Sequence, residues 1–331
     1  MSGALQALFP PRALLLATYG IDRAFTAGMQ NGWPELPFHA WRDTHATLHM
    51  WLQIVGKTRL AQTPWINHSW HVTLYVTARG LSTLAIPHGG RAFHIEFDFL
   101  DHKLRIDTTE GRSRTVPLEP QPVALFYRQV MDALGELQVP VAIPRKPNEV
   151  ADPIAFHLDE THRAYDAEYA QRFWRALVQA GRVLNKFRAR FRGKSSPVHF
   201  FWGNTDLSVS RFSGRIAPLH PGGRSSLPDR VLQEAYSHEV TEFGFWTGGA
   251  DHPEPLFYAM AYPEPPGFAE ARVSPAAAHY SQELKEFILP YDAVRRSGAP
   301  DETLLEFLQS TYEAVATRAQ WDRKVLEFHR P

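Results

Sequence analysis

The run Phe93-His94-Ile95-Glu96-Phe97-Asp98-Phe99 alternates apolar with ionisable side chains. A period of two is that of a β-strand, so His94, Glu96 and Asp98 project to one side and the apolar set to the other. Imidazole and carboxylate on one face suit a divalent metal ion or a shared proton. Glu242-Phe243-Gly244-Phe245 repeats the pattern, with His238 shortly before it. His199 lies among Phe200, Phe201 and Trp202, where burial lowers the pKa of an imidazole that lacks a partner. His94, Glu96, His199, His238 and Glu242 are therefore the candidate catalytic set. His94, Glu96, His238 and Glu242 are the candidate ligands of a divalent metal cofactor. The competing reading is a solvated sheet face carrying ordinary polar residues.

A second group could hold a substrate. His45 and His49 stand four apart on a predicted helix, and His49, Gln53 and Lys57 continue as a stripe one turn apart. That stripe is either solvated or aims three polar groups at an anionic ligand. His71, Tyr75, Arg79, Trp202 and Asp206 complete the candidate substrate-binding set. Asp206, Ser208 and Ser210 match Thr73, Tyr75 and Thr77 by a constant offset of 133, giving each half a strand face of small hydrogen-bonding groups. Arg79, Arg91 and Arg224 adjoin glycines in turns and could grip a carboxylate or phosphate. Familiar motifs fail. Gly193-Lys194-Ser195 lacks the glycine of a phosphate loop, since Arg188 stands in its place. The chain has no Gly-x-Ser-x-Gly, no Gly-x-Gly-x-x-Gly and no His-Glu-x-x-His.

Elements must position these groups. Apolar spacing predicts helices over 41–61, 122–137, 167–191 and 301–328, with a short one ending at Tyr236. Alternation predicts strands over 68–77, 93–99, 104–107, 241–245 and 256–262, with a strand region from 197 to 210. Turns as short as Asp101-His102-Lys103 are too brief for crossovers, which points to antiparallel pairing. The order helix, strands, helix occurs twice. An offset of 133 aligns 64–91 with 197–224, matching Leu74 with Leu207, Val76 with Val209, and Gly89-Gly90-Arg91 with Gly222-Gly223-Arg224. The expected fold is α+β, built as two tandem pseudo-symmetric repeats, mainly antiparallel sheet packed by helices. The domains read as an N-terminal extension (1–32), a first repeat (33–140), a connector (141–158) and a second repeat (159–328). The alternative is one compact pseudo-twofold body, and the seam between the repeats is the natural pocket.

Composition sets outer limits. The 331 residues contain 35 Lys+Arg and 35 Asp+Glu, a balance with no general attraction to nucleic acid or an anionic membrane. With no cysteine there is neither disulfide nor thiolate chemistry, which fits a cytoplasmic protein. No stretch of ~20 apolar residues occurs, so no membrane span is expected. Pro10-Pro11-Arg12 splits the apolar start, which reads poorly as a signal peptide.

Six strings carry a resemblance: Trp33-Pro34-Glu35-Leu36-Pro37, the run from Leu48 to Lys57, Tyr75 to Leu81, Ser196 to Gly203, Tyr236 to Val240, and Ala261 to Phe268. Together they resemble an uncharacterised, mostly bacterial family known only as a domain of unknown function. The resemblance runs from Trp33 to the C-terminus and implies no activity, cofactor or catalytic residue. The residues themselves favour an enzyme acting on a small polar molecule in a pocket lined by histidine and carboxylate, with metal assistance as an option. The alternatives are a non-catalytic module with an aromatic-lined cavity, and an interaction protein presenting Trp and Phe.

Overall fold

The computed structural model describes residues 32–223, 227–249 and 252–328. The chain divides between Gly32 and Trp33, and every element below lies in the unit that starts at Trp33. The extension 1–32, apart from Gly32, and Arg224 fall outside the described residues.

The first half opens with α1 (Phe38–Gln62), whose residues from Met50 to Arg59 are all buried, as befits a helix with apolar neighbours on every side. Strands β1 (Tyr75–Val76), β2 (Gly80–Ser82), β3 (Ile86–His88), β4 (Arg91–Asp98), β5 (Lys103–Thr108) and β6 (Ser113–Pro117) follow, then α2 (Val123–Glu136). The second half begins with α3 (Ala167–Arg188), capped by the Asp166 side chain accepting from the Tyr169 amide. It continues through β7 (His199–Phe201), β8 (Asp206–Ile216), α4 (Asp229–Ala235), β9 (His238–Trp246), β10 (Leu256–Tyr262), β11 (His279–Ser281) and β12 (Glu286–Pro290). It closes with α5 (Tyr291–Arg295), α6 (Pro300–Arg318) and α7 (Arg323–Leu326).

All pairings are antiparallel, and the fold is α+β. One sheet runs β1-β2-β4-β5-β6, with β3 also on β4; the other runs β7-β8-β9-β10-β12-β11. Their edges meet at a single residue pair. Leu74 and Phe200 exchange two amide-to-carbonyl hydrogen bonds, each 2.9 Å, just outside β1. Helices cover one face: Phe173 of α3 meets Phe200, and Phe187 meets Phe243. Phe93, Ile95, Phe97, Phe99, Phe243 and Phe245 are buried in the core on that face, as their alternation requires. Each such burial stabilises by ~2 kcal/mol.

Three boundaries differ from expectation. The strand foreseen over 68–77 is a turn until Leu74, because His68 and Ser69 adopt left-handed backbone (φ 63° and 54°). The long final helix breaks after Arg318, where Gln320 takes φ 54°, and resumes as α7. The offset of 133 sets Tyr75 on Ser208 of β8, although β1 and β7 hold the equivalent edge positions in their sheets. Among the described residues, no helix is long and apolar enough to cross a membrane.

Candidate functional site

Sheet register assembles a polar strip on the face opposite the helices. His199 of β7 stands opposite Ser208 of β8, Ser208 opposite Gly244 of β9, and Gly244 opposite Tyr258 of β10. One step along, Phe201 faces Asp206, which faces Trp246; one step the other way, Ser210 faces Glu242, which faces Met260. His199, Asp206, Ser208, Ser210 and Tyr258 are all buried. Core packing needs no such row, so its polar atoms must find partners within it.

Asp206 has one partner and one open atom. Tyr258 donates its hydroxyl to Asp206 Oδ2 at 2.7 Å, while Oδ1 is buried without a hydrogen-bond partner. Burial, followed by the charge of Glu242, pushes the Asp206 carboxyl well above the usual range; Glu286 and Glu149 add to this, and the Tyr258 hydrogen bond opposes it. A carboxyl in that setting keeps its proton to higher pH than an ordinary one, and in its protonated form can donate from Oδ1. The Tyr258 phenol is likewise raised by burial and by Asp206.

His199 is the counterpart. Its Nδ1 lies 2.7 Å from Thr73 Oγ1, and Nε2 is buried without a partner. Thr73 directs its hydroxyl to the Trp70 carbonyl at 3.2 Å, which leaves Nδ1 as the protonated nitrogen and Nε2 as the acceptor. Burial, then Arg59, Arg188 and His68, lower His199 to about 4, so the ring is neutral at pH 7. Trp70 stacks on His199 (centroids 5.6 Å) and on His68 (5.0 Å), and the Tyr75 ring lies 5.6 Å from His199. On a sheet, diagonal neighbours such as His199 and Asp206 stand about 7–8 Å apart.

The catalytic set drawn from sequence does not meet in one place. The strand order puts β2, β1, β7 and β8 between β4 and β9, a path of about 24 Å at ~4.8 Å per strand. β4 and β9 are each the third strand from the Leu74–Phe200 seam, on opposite sides of it, so the seam separates them. His94 lies 3.5 Å from Asp107, and Glu96 accepts from the Thr77 hydroxyl at 2.6 Å. His238 is exposed at the start of β9, with its Nδ1 3.1 Å from the Ser237 hydroxyl. His199 and Glu242 do share the strip with Asp206. Among the described residues, no group of three His, Asp or Glu side chains is placed to hold a metal ion. His94, Glu96, His238 and Glu242 thus form no ligand set.

The substrate-binding candidates divide. Gln53 and Lys57 are buried rather than solvated, and their partner is the connector between the halves. Gln53 donates to the Asn148 carbonyl at 2.7 Å and accepts from its amide at 3.0 Å, and Lys57 Nζ donates to Asn148 Oδ1 at 2.8 Å. His49 Nε2 bonds the Gly203 carbonyl at 2.8 Å, and burial lowers its pKa despite that bond. This clamp sets Glu149 against Gly203 at the β7–β8 turn, beside Asp206. His71 closes the 66–71 turn through Ile66, whose amide donates to Nδ1 at 3.2 Å. Arg79 pairs with Asp98 (2.6 Å) and Asp101 (3.0 Å), holding the ends of β2 and β4. Trp202 is buried against Gly56 and donates to the Val72 carbonyl at 2.8 Å. Tyr75 and Asp206 lie on the strip. Tyr258, Glu149 and Glu286 were not foreseen; only Gly244, a glycine inside a strand, signals that a side chain crosses there.

A family model described as a family of unknown function, DUF5996, matches residues 33–328. No curated protein and no solved structure matches the chain.

Proposed function

The chain belongs to the DUF5996 family, a family of unknown function, and on the chemistry of the strip we propose that it is an enzyme acting on a small polar molecule between Asp206 and His199. The observation that carries this reading is the pair of open atoms, Asp206 Oδ1 and His199 Nε2, buried on one face of adjacent strands. In this reading Asp206, its carboxyl pKa raised by burial, is the proton donor and the neutral His199 the acceptor, the division of roles that general acid–base catalysis needs. A molecule bridging them satisfies both atoms and takes up a proton at one end while releasing one at the other. Ser208, opposite His199 and two residues from Asp206 on the same strand, offers a third hydrogen bond. The two sheets, each edged by the seam and backed by a long helix, are read as repeats of one unit, of which only the second carries this pair.

Both atoms are buried in this conformation and the Trp70 ring stacks on His199, so in this reading a ligand reaches Nε2 once that ring moves aside. Non-catalytic capture of the same molecule would use the same atoms, and product formation separates the two roles. The test is a thermal-shift screen of a small-metabolite library against the full chain, His199→Asn and Asp206→Asn. Compounds that stabilise the parent and neither variant, and that are converted on incubation, are the expected result. Hits that stabilise all three proteins equally would place binding elsewhere and overturn the reading.

A further inference from the structure

The guanidinium of Arg59 lies buried beside the strip without a counter-charge. Its Nη1 donates to the Thr73 carbonyl, and its Cζ sits over the Tyr75 ring, 5.5 Å from the centroid. Both contacts lead to His199. The Thr73 hydroxyl is 2.7 Å from His199 Nδ1, and the Tyr75 ring stands 5.6 Å from the imidazole. Arg59 is 8% exposed, and its Nε is buried with no hydrogen-bond partner. Among the described residues no carboxylate pairs with it; the one ionisable group acting on it is the Tyr75 phenol. The carboxylates that register places on either side are engaged elsewhere. Asp206, diagonal to His199, accepts from Tyr258, and Glu96, reached from Tyr75 through Ser82, accepts from Thr77. A guanidinium keeps its charge in a protein, and taking it out of water is costly unless an anion answers it. The Thr73 carbonyl needs only one donor, which a neutral side chain would supply. The Tyr75 ring that covers the guanidinium is half-buried, so the charge lies one ring below the surface.

We propose that Arg59 binds an anionic oxygen group, carboxylate or phosphate, and that the small polar molecule held between His199 and Asp206 carries this group as its head. The second half of that statement rests on the proposed function; the anion site at Arg59 does not. A guanidinium engages such a group through two parallel hydrogen bonds, here from Nε and from the Nη that Thr73 leaves over. The head lies at Arg59, and the rest of the molecule passes Tyr75 to His199 and then Asp206. That is the order in which the edge beside β1, then β7, then β8 follow one another across the seam.

Acetate and, separately, inorganic phosphate are titrated into the full chain by calorimetry, while the His199 Cε1–H resonance is followed by NMR. Saturable binding of at least one anion is expected, with the His199 resonance moving at the same midpoint. Arg59→Lys keeps the charge and loses the fork, and should weaken binding by about tenfold or more, the worth of one charge-assisted hydrogen bond. Arg59→Gln keeps a donor for the Thr73 carbonyl without the charge, and should abolish binding. Arg59→Lys carries the test if Arg59→Gln does not fold. Tighter binding of either anion supports the site and identifies the head group. No saturable binding, binding that a folded variant leaves unchanged, or a His199 resonance that stays still overturns the proposal. The two readings fail separately. Anion binding that depends on Arg59 and persists in His199→Asn supports the site even where the metabolite screen finds no converted compound. Converted compounds that lack an anionic oxygen, or that stabilise Arg59→Lys as fully as the parent, overturn the anion site and leave the enzyme reading standing.

Discussion

Tyr258 reaches Asp206 by lying across Gly244: its ring occupies the space where a β-carbon on residue 244 would stand, and its hydroxyl donates to Oδ2 at 2.7 Å. The glycine is therefore part of the hydrogen bond, although it has no side chain to contribute. Gly244→Ala should push the ring aside and destabilise the protein by ~1–3 kcal/mol, the usual penalty for overpacking. Denaturant melts of Gly244→Ala, Tyr258→Ala and the double variant check this. If the ring is the obstacle, adding Gly244→Ala to Tyr258→Ala costs little, whereas equal costs in both backgrounds would show that the ring is not what the β-carbon meets.

Asp206 predicts a pH-dependent difference. Its folded pKa lies above the unfolded value, so its contribution to stability is complete below pH ~3.9 and is lost as pH rises toward the folded value. Asp206→Asn keeps an acceptor for Tyr258 and removes the titration. The variant should gain stability relative to the parent as pH increases from 4 to 8, read as the difference in urea midpoints. A flat difference would mean that Asp206 ionises like an ordinary carboxylate.

His199 has the opposite sign. Its folded pKa of about 4 lies below the ordinary imidazole value, so its contribution is present above pH ~6.5 and is lost as pH falls toward 4. The window corresponds to ~3 kcal/mol. His45 and His68, lowered to about 3 and about 4 chiefly by burial, lose stability over overlapping ranges. The measurement is therefore the difference between His199→Gln and the parent, which should shift in the variant's favour on acidification. Parallel stability curves would show that the imidazole is free to charge in place.

The connector clamp is testable by proteolysis. Gln53→Leu removes both hydrogen bonds to the half-buried Asn148 backbone, for a cost of about 2 kcal/mol. Limited digestion should then cut between residues 141 and 158 faster than in the parent. Unchanged cleavage would show that Lys57 and His49 alone hold the segment.

How far the sequence revealed this depends on the range of each interaction. The buried faces of β4 and β9 were legible because Phe93, Ile95, Phe97 and Phe243 follow the two-residue period that local geometry imposes. The stripe His49-Gln53-Lys57 was legible as a stripe. Its partner was not, because Asn148 lies 95 residues from Gln53 and nothing local links them. The turn at His68 and Ser69 was hidden because neither residue is glycine, the usual marker of left-handed backbone. Asp206 was singled out, yet its acid neighbours Glu242, Glu286 and Glu149 come from three other segments, brought in by cross-strand register and by the connector. His94 and Glu96 were misjudged for a related reason. Duplication suggested that matching strands meet, whereas edge-to-edge joining keeps them apart.

The Leu74–Phe200 pair also says something about the order in which the chain assembles. Nearly every strand pairs with one near it in sequence, so each sheet can form from pairings far more local than the junction, even where β8 and β9 are linked through 217–237. The junction is different: its two partners are 126 residues apart, and closing so long a loop yields only two backbone hydrogen bonds. The halves should therefore gain native amide protection before they dock. In pulsed hydrogen exchange, Leu74 and Phe200 should be the late reporters, and the His199 imidazole should find Thr73 only in that final step.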